Sequence, residues 1–232
     1  MTGKPELTRK LINIHDKLLA CYGKQHWWPG ETPFEIMVGA ILTQSTSWRN
    51  VEKAIVNLKT AGKLSASAIR ELPLDDLAKL IHPSLYFNAK AKKLKALTEW
   101  LGRYNDDLSR LDSHPTTELR EELLNLYGVG PETADAITLY VFKRSVFVID
   151  AYTRRLFTRL GIRPPADTYD AWQALFMDNL PFDVGLFAEY HALIVQHGKD
   201  KCRKSADCNR CGLGDECPDN AIHPSTGSGR TD

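Results

Sequence analysis

Near its C-terminal end the sequence carries Cys202, Cys208, Cys211 and Cys217 in the spacing C-x5-C-x2-C-x5-C, inside sixteen residues that begin soon after His197-Gly198. Thiolates are soft ligands, and four on so short a loop can wrap a metal ion or a small inorganic cluster with little core of their own. The fifth cysteine, Cys21, is expected to be a small buried hydrophobe. A second group lies upstream, where Leu126-Tyr127-Gly128-Val129-Gly130-Pro131-Glu132-Thr133-Ala134-Asp135 is followed by Asp150 in an apolar setting. A Gly-Val-Gly turn opening a helix at Pro131 presents backbone N–H groups and a helix N-terminus to an anion, and a DNA phosphate could bind there without sequence readout. Asp150 also opens a helix, where an Asp is ordinarily an N-cap; the same placement lets backbone N–H groups keep a carboxylate ionised beside a reaction centre.

These groups need a scaffold, and composition bounds it. The chain has 232 residues, 43% hydrophobic and 25% charged, enough for one substantial core or two modest domains. Its net charge of +1 means that a nucleic acid must be met by a local basic surface. The polar start from Met1 to Lys10 lacks an apolar signal region and no run is long enough to span a membrane, so a cytoplasmic protein, nucleoid-associated if bacterial, is expected. Clustered cysteines fit metal ligation in a reducing compartment better than a disulfide framework. Leu7, Leu11, Ile14, Leu18 and Leu19 recur at helical spacing, as do Phe34, Met37, Val38, Ile41 and Leu42 after Pro33. Further helices are expected at about 47–61, 65–71, 74–81, 88–105, 115–126, 131–142, 150–160, 168–179 and 183–197, bounded by Gly, Pro, Ser, Asp or Asn. Only Val146-Phe147-Val148-Ile149 looks strand-like, too short and solitary for a sheet. The expectation is an all-α fold with a fraying polar tail from Asp219.

Together these residues resemble the helix-hairpin-helix DNA glycosylase superfamily, in its endonuclease III-like branch. The resemblance covers nearly the whole chain: Ile41-Leu42-Thr43-Gln44-Ser45-Thr46, Asn88-Ala89-Lys90-Ala91, the hairpin, Asp150, and His197-Gly198 leading into the cysteine loop. It implies two helical domains flanking a DNA-binding cleft, a helix-hairpin-helix domain over 24–144 and a discontinuous iron–sulfur domain from 1–23 and 145–232. It also implies that Cys202, Cys208, Cys211 and Cys217 hold a four-iron four-sulfur cluster, with zinc as the rival, although the first cysteine interval is one residue shorter than in the best-known endonuclease III pattern. Asp150 would promote cleavage of the N-glycosidic bond of an extruded base. Bifunctional members place a lysine at the second position after the hairpin's last glycine, whose amine forms an imine with the sugar. Glu132 stands there and cannot form a Schiff base, so the expected enzyme lacks lyase activity and leaves an abasic site. Glu132 is a tentative catalytic assistant or a helix-start carboxylate favoured by the macrodipole.

Trp27-Trp28-Pro29, Phe34-Glu35 and Trp48 are similar to the 3-methyladenine glycosylases of the endonuclease III-like type. By that resemblance Trp27 and Trp48 sandwich the base while Trp28 and Pro29 shape the wall; ordinary core packing is the alternative. A methylated adenine is cationic, stacks on indole and leaves without a general acid. The best-known members of that subgroup lack a cysteine loop, so this chain joins their pocket to the cluster of endonuclease III. DNA contacts are expected from Gly128, Val129 and Gly130, from Gln44 filling the gap left by the base, from Arg203, Lys204 and Arg210, and from Lys90, Lys92, Lys93 and Lys95 unless these form only a solvated helix face. Leu85 or Tyr86 would wedge the opposite strand, and the hairpin carbonyls permit a monovalent cation. The expected partner is double-stranded DNA with damaged bases, bound by a monomer without a membrane. Glycosylase action on oxidised, deaminated or mismatched pyrimidines is one rival reading, and a non-catalytic iron–sulfur DNA-binding protein is another.

Overall fold

The computed structural model describes residues 4–208 and 211–218. Every regular element among them is helical, as expected. The chain divides into two compact units, residues 28–144 and residues 1–27 with 145–232.

In the first unit α2 (Pro33–Leu42) starts where Thr32 Oγ1 accepts the Glu35 N–H at 3.1 Å and Pro33 fills a first-turn position that needs no donor. It is followed by α3 (Trp48–Thr60), α4 (Ala66–Glu71), α5 (Leu74–Leu80) and α6 (Phe87–Gly102). The unit closes with α7 (Thr116–Leu124) and α8 (Pro131–Tyr140). Met37, Ile41, Val51, Leu94, Leu97 and Ile137 belong to one buried cluster, so the apolar stripe of each helix faces a shared core. Helices α4 and α5 pack on α6, and α2 and α7 pack on α8.

The second unit joins the two ends of the chain. Helix α1 (Lys4–Tyr22) packs on α11 (Val184–Asp200), and Tyr190 of α11 donates its hydroxyl to the Leu11 carbonyl at 2.8 Å. Helices α9 (Ala151–Arg159) and α10 (Tyr169–Met177) complete it. Its core is aromatic: Phe147 and Phe176 stack at 4.1 Å with an interplanar angle of 4°, and Phe157, Phe187 and Tyr190 meet them edge-on. The strand-like run Val146–Ile149 is buried and makes no ladder. Side chains serve its backbone instead, with Gln173 Nε2 donating to the Phe147 carbonyl at 2.8 Å and Tyr169 Oη accepting from Ile149 N–H at 3.3 Å.

Candidate nucleic-acid interface and active site

The hairpin between α7 and α8 turns at Gly128, whose φ of +76° suits glycine; a Cβ there would also run into the aliphatic stem of Lys93. Val129 buries its side chain, and Gly130 is the extended N-cap before Pro131. The two helices are cross-braced. Arg120 on α7 donates Nε to Asp135 Oδ1 at 2.6 Å and Nη2 to Oδ2 at 3.1 Å, and Asp135 on α8 is fully buried. This brace fixes the direction of the α8 N-terminus, whose first-turn N–H groups a helix cannot satisfy internally. The carbonyls of Leu126, Gly128 and Gly130 accept from Val129 N–H, Gln44 Nε2 and Ala134 N–H, and a carbonyl oxygen has a second lone pair beyond each of these bonds. Glu132 is exposed in the first turn of α8.

Gln44 meets this hairpin. Its Nε2 donates to the Gly128 carbonyl at 3.2 Å and to Thr133 Oγ1 at 2.9 Å, while its Oε1 accepts from Lys93 Nζ. The expected lysine face divides into distinct roles. Lys90 is buried and its ammonium donates to the carbonyls of Leu42 at 2.8 Å and Ser84 at 2.6 Å. Burial, reinforced by the nearby charge of Lys93, pushes it down to about 8. Lys95 donates to the carbonyls of Arg70 and Leu72, satisfying the end of α4. A surface stripe is thus corrected to two tethers, Lys90 and Lys95, with Lys92 exposed and Lys93 held at Gln44. Beside Ser84, Leu85 and Tyr86 are exposed and both have positive φ, +61° and +45°.

Of the aromatic group, Trp28 and Trp48 lie together, ring centroids 5.6 Å apart at 83°, and the Tyr140 ring lies 5.4 Å from that of Trp28. Gly39 makes room for them, because a Cβ there would stand 3.0 Å from Trp28 Nε1. Pro29 is exposed. Trp27 falls in the other unit, where Lys199 Nζ lies 5.2 Å from the ring centroid.

Asp150 is the N-cap of α9 and is 8% exposed. Its Oδ1 accepts from the backbone N–H of Thr153 at 2.7 Å and from the Thr153 hydroxyl at 2.8 Å, and its Oδ2 lies 3.7 Å from His191 Nε2. Burial alone raises such a carboxyl, but His191 and Thr153 outweigh it and hold Asp150 below the usual carboxylate range. It is therefore a fixed anion at neutral pH. Thr153 follows from the sequence, since an N-cap Asp accepts the backbone N–H two or three residues on; His191, forty-one residues away on α11, left no local signal.

All four thiols of Cys202, Cys208, Cys211 and Cys217 line one cavity of about 490 Å³. Among the described residues no cluster of His, Cys, Asp and Glu converges as a single metal ion requires. A donor set of four soft thiols around a space this large fits a polynuclear cluster better than one tetrahedral ion. Arginines of α9 grip the loop: Arg155 Nε donates to the Cys202 carbonyl at 2.7 Å, and Arg159 donates to Cys202 Sγ at 3.1 Å and to the carbonyls of Arg203 and Lys204. Arg203 and Lys204 are exposed, whereas Arg210 lies outside the described residues. Cys21, expected to be buried, is exposed near the end of α1, with its sulfur close against Gly212, where a Cβ would collide with it. His197, which sequence reading used only as a landmark, is buried with Nδ1 3.0 Å from Tyr22 Oη and Nε2 3.8 Å from Cys211 Sγ.

Comparison with known proteins agrees with this geometry. A protein of Methanocaldococcus jannaschii provisionally named a DNA repair glycosylase is 46% identical over 210 residues, covering 89% of this chain and 95% of that protein. Endonuclease III of Thermotoga maritima is 29% identical over 194 residues, 80% of this chain and 82% of the relative. Among solved structures, H. pylori 3-methyladenine DNA glycosylase bound to 1,N6-ethenoadenine superposes with a TM-score of 0.67 at 30% identity, covering 85% of this chain and 97% of that one. A trapped endonuclease III–DNA covalent intermediate shares the fold with a TM-score of 0.80 at 21% identity, over 93% of this chain and 98% of that one. The model of the HhH-GPD superfamily of base excision DNA repair proteins matches residues 38–182, and with the braced hairpin already in place the chain is a member of that superfamily.

Proposed function

We propose that this base excision repair protein is a monofunctional DNA glycosylase that releases alkylated purines, 3-methyladenine foremost, and leaves an abasic site. The observation that carries the reading is the aromatic corner of Trp28, Trp48 and Tyr140 built over Gly39. Indole faces attract a cationic ring, and a base already positive needs no general acid to leave. The similarity to a 3-methyladenine glycosylase at 30% identity supports the same substrate class. In this reading Trp27, Trp28, Pro29 and Trp48 bind the base. Asp150 stabilises the positive charge that develops on the sugar and orients the water that attacks it, a role suited to a carboxylate held ionised by Thr153 and His191. With Glu132 where a Schiff-base lysine would stand, no imine forms and the strand is not cut.

Backbone contacts belong to the hairpin residues Gly128, Val129 and Gly130 and, with Gln44, to the basic residues Arg203, Lys204 and Arg210. The division into a hairpin domain, 24–144, and a cluster domain, 1–23 with 145–232, is part of the same proposal, as are a damaged duplex as partner and a monomer as the acting form. Among the described residues no helix is long and apolar enough to cross a membrane. Cys202, Cys208, Cys211 and Cys217 would hold a four-iron four-sulfur cluster, which supplies a rigid centre for the loop and not hydrolytic chemistry. Chromatography of bases liberated from methylated duplex tests the substrate. Free 3-methyladenine is expected, and release of thymine glycol or uracil with no purine would transfer the reading to pyrimidine lesions.

A further inference from the structure

Two adjacent non-glycine residues, Leu85 (φ +61°, ψ +161°) and Tyr86 (φ +45°, ψ +31°), occupy backbone regions that L-residues avoid. Such conformations are strained and persist only where the surroundings over-determine them. Both side chains are nevertheless exposed, at 49% and 68%, so their own packing does not hold them. The restraint comes from below. Ser84, which precedes them, is fully buried and gives its carbonyl to Lys90 Nζ at 2.6 Å, while its hydroxyl donates to the Ile81 carbonyl at 2.7 Å.

The same ammonium takes the Leu42 carbonyl at 2.8 Å, at the end of α2 and two residues before Gln44. One helical turn further along α6, Lys93 donates to Gln44 Oε1, its stem lies where a Gly128 Cβ would be, and Gln44 returns a hydrogen bond to the Gly128 carbonyl. Lys90 and Lys93, at i and i+3 on one helix face, thus tie three separate segments of the 28–144 unit. These are the α2 exit at 42–44, the turn at 84–86 and the hairpin at 128–133.

We propose that Lys90 and Lys93 are positioning residues that lock these three segments into a single preset DNA-reading face, so that Leu85 and Tyr86 enter a distorted duplex at a fixed depth beside Gln44. The inference rests on the glycosylase reading for its ligand but not for its mechanics. An ammonium on a buried stem suits the task, because it satisfies two buried carbonyls from different elements at once, which an apolar residue of the same length cannot. Neither lysine touches DNA in this scheme, so each acts on lesion preference and not on general affinity.

The test uses the full-length protein and two variants, Lys90→Met and Lys93→Met, with two readouts. Hydrogen exchange of the protein without DNA reports the lock: Lys90→Met should speed exchange at residues 84–90 by about tenfold, the factor expected for losing a charged hydrogen bond, with residues 120–140 little changed. Binding to a duplex with a tetrahydrofuran abasic analogue, against the undamaged duplex, reports its use. Preference for the abasic duplex should fall by about tenfold in Lys90→Met and less in Lys93→Met, with affinity for undamaged duplex held. Unchanged exchange with unchanged preference in Lys90→Met would overturn the proposal. If that variant does not fold, Lys93→Met decides, because its side chain reaches the surface and an unaltered preference there removes the lock's function. Wild-type protein with no preference for the abasic duplex, together with loosened exchange in Lys90→Met, would retain the lock and discard the glycosylase reading.

Discussion

The hairpin and the cysteine loop are both short irregular segments, yet they are built on opposite principles. The hairpin is finished by side chains: Arg120 pairs with the buried Asp135 and binds the two helices, Val129 packs inward, and Gln44 closes the turn from just beyond α2. The cysteine loop has one short 3₁₀ turn, Gly214–Glu216, and Leu213 as its anchor in the core. It is also held from outside, by Arg155 and Arg159 of α9 and by Asn13 and Lys17 of α1, which both donate to Glu216 Oε1. A chain can therefore fix a hairpin with packing and one ion pair, whereas a loop with almost no core borrows a charge clamp and, in the proposed reading, an inorganic centre.

The greatest effect should come from removing the proposed iron–sulfur cluster. Binding at such a loop is folding free energy on the order of 10 kcal/mol, so chelating the iron should abolish hydrogen-exchange protection around residues 201–218 while the 28–144 unit keeps its own. Equal loss in both units would erase the contrast. On the hairpin side, Arg120→Ala removes two charged hydrogen bonds from the buried Asp135 carboxylate and should cost about 3–5 kcal/mol in denaturant unfolding. A change under 1 kcal/mol would mean that the brace is ornamental. Arg159→Met removes donors to Cys202 Sγ and two carbonyls, and about 1–3 kcal/mol is expected, seen as faster bleaching of the cluster absorbance. Bleaching at the wild-type rate would place the clamp elsewhere.

The smallest expected effect is a pH dependence of the hairpin unit. Lys90 lies at about 8 when folded against an ordinary 10.5, so between these values the unfolded chain binds more protons and stability rises with pH. Denaturation from pH 7.5 to 10 should show this rise in the wild type and lack it in Lys90→Met. A fall over that range, absent in the variant, would show that burial does not govern this ammonium.

The contrast also explains what was legible beforehand. The helices were, because caps such as Thr32, Ser65, Thr168 and Asp183 and the apolar stripes are local signals. The cysteine spacing and the glycine turn were legible for the same reason. The partners of these motifs were not, because they arrive through the fold: His191 approaches Asp150 from forty-one residues away and Arg159 approaches Cys202 from forty-three. Lys90 was misread because a lysine run looks like a solvated face until packing shows that one member meets two buried carbonyls. Val146–Ile149 carries strand-like residues, yet it is a buried link with no neighbour to pair with.

The most direct test of the account is single-turnover base release from methylated duplex by wild-type protein and by Asp150→Asn, with strand nicking followed on the same samples. Wild type should liberate 3-methyladenine and leave the strand whole, and Asp150→Asn should be slower by about 10²–10⁴-fold with duplex affinity retained. Base release at the wild-type rate by Asp150→Asn, or strand cleavage accompanying every base released, would contradict it.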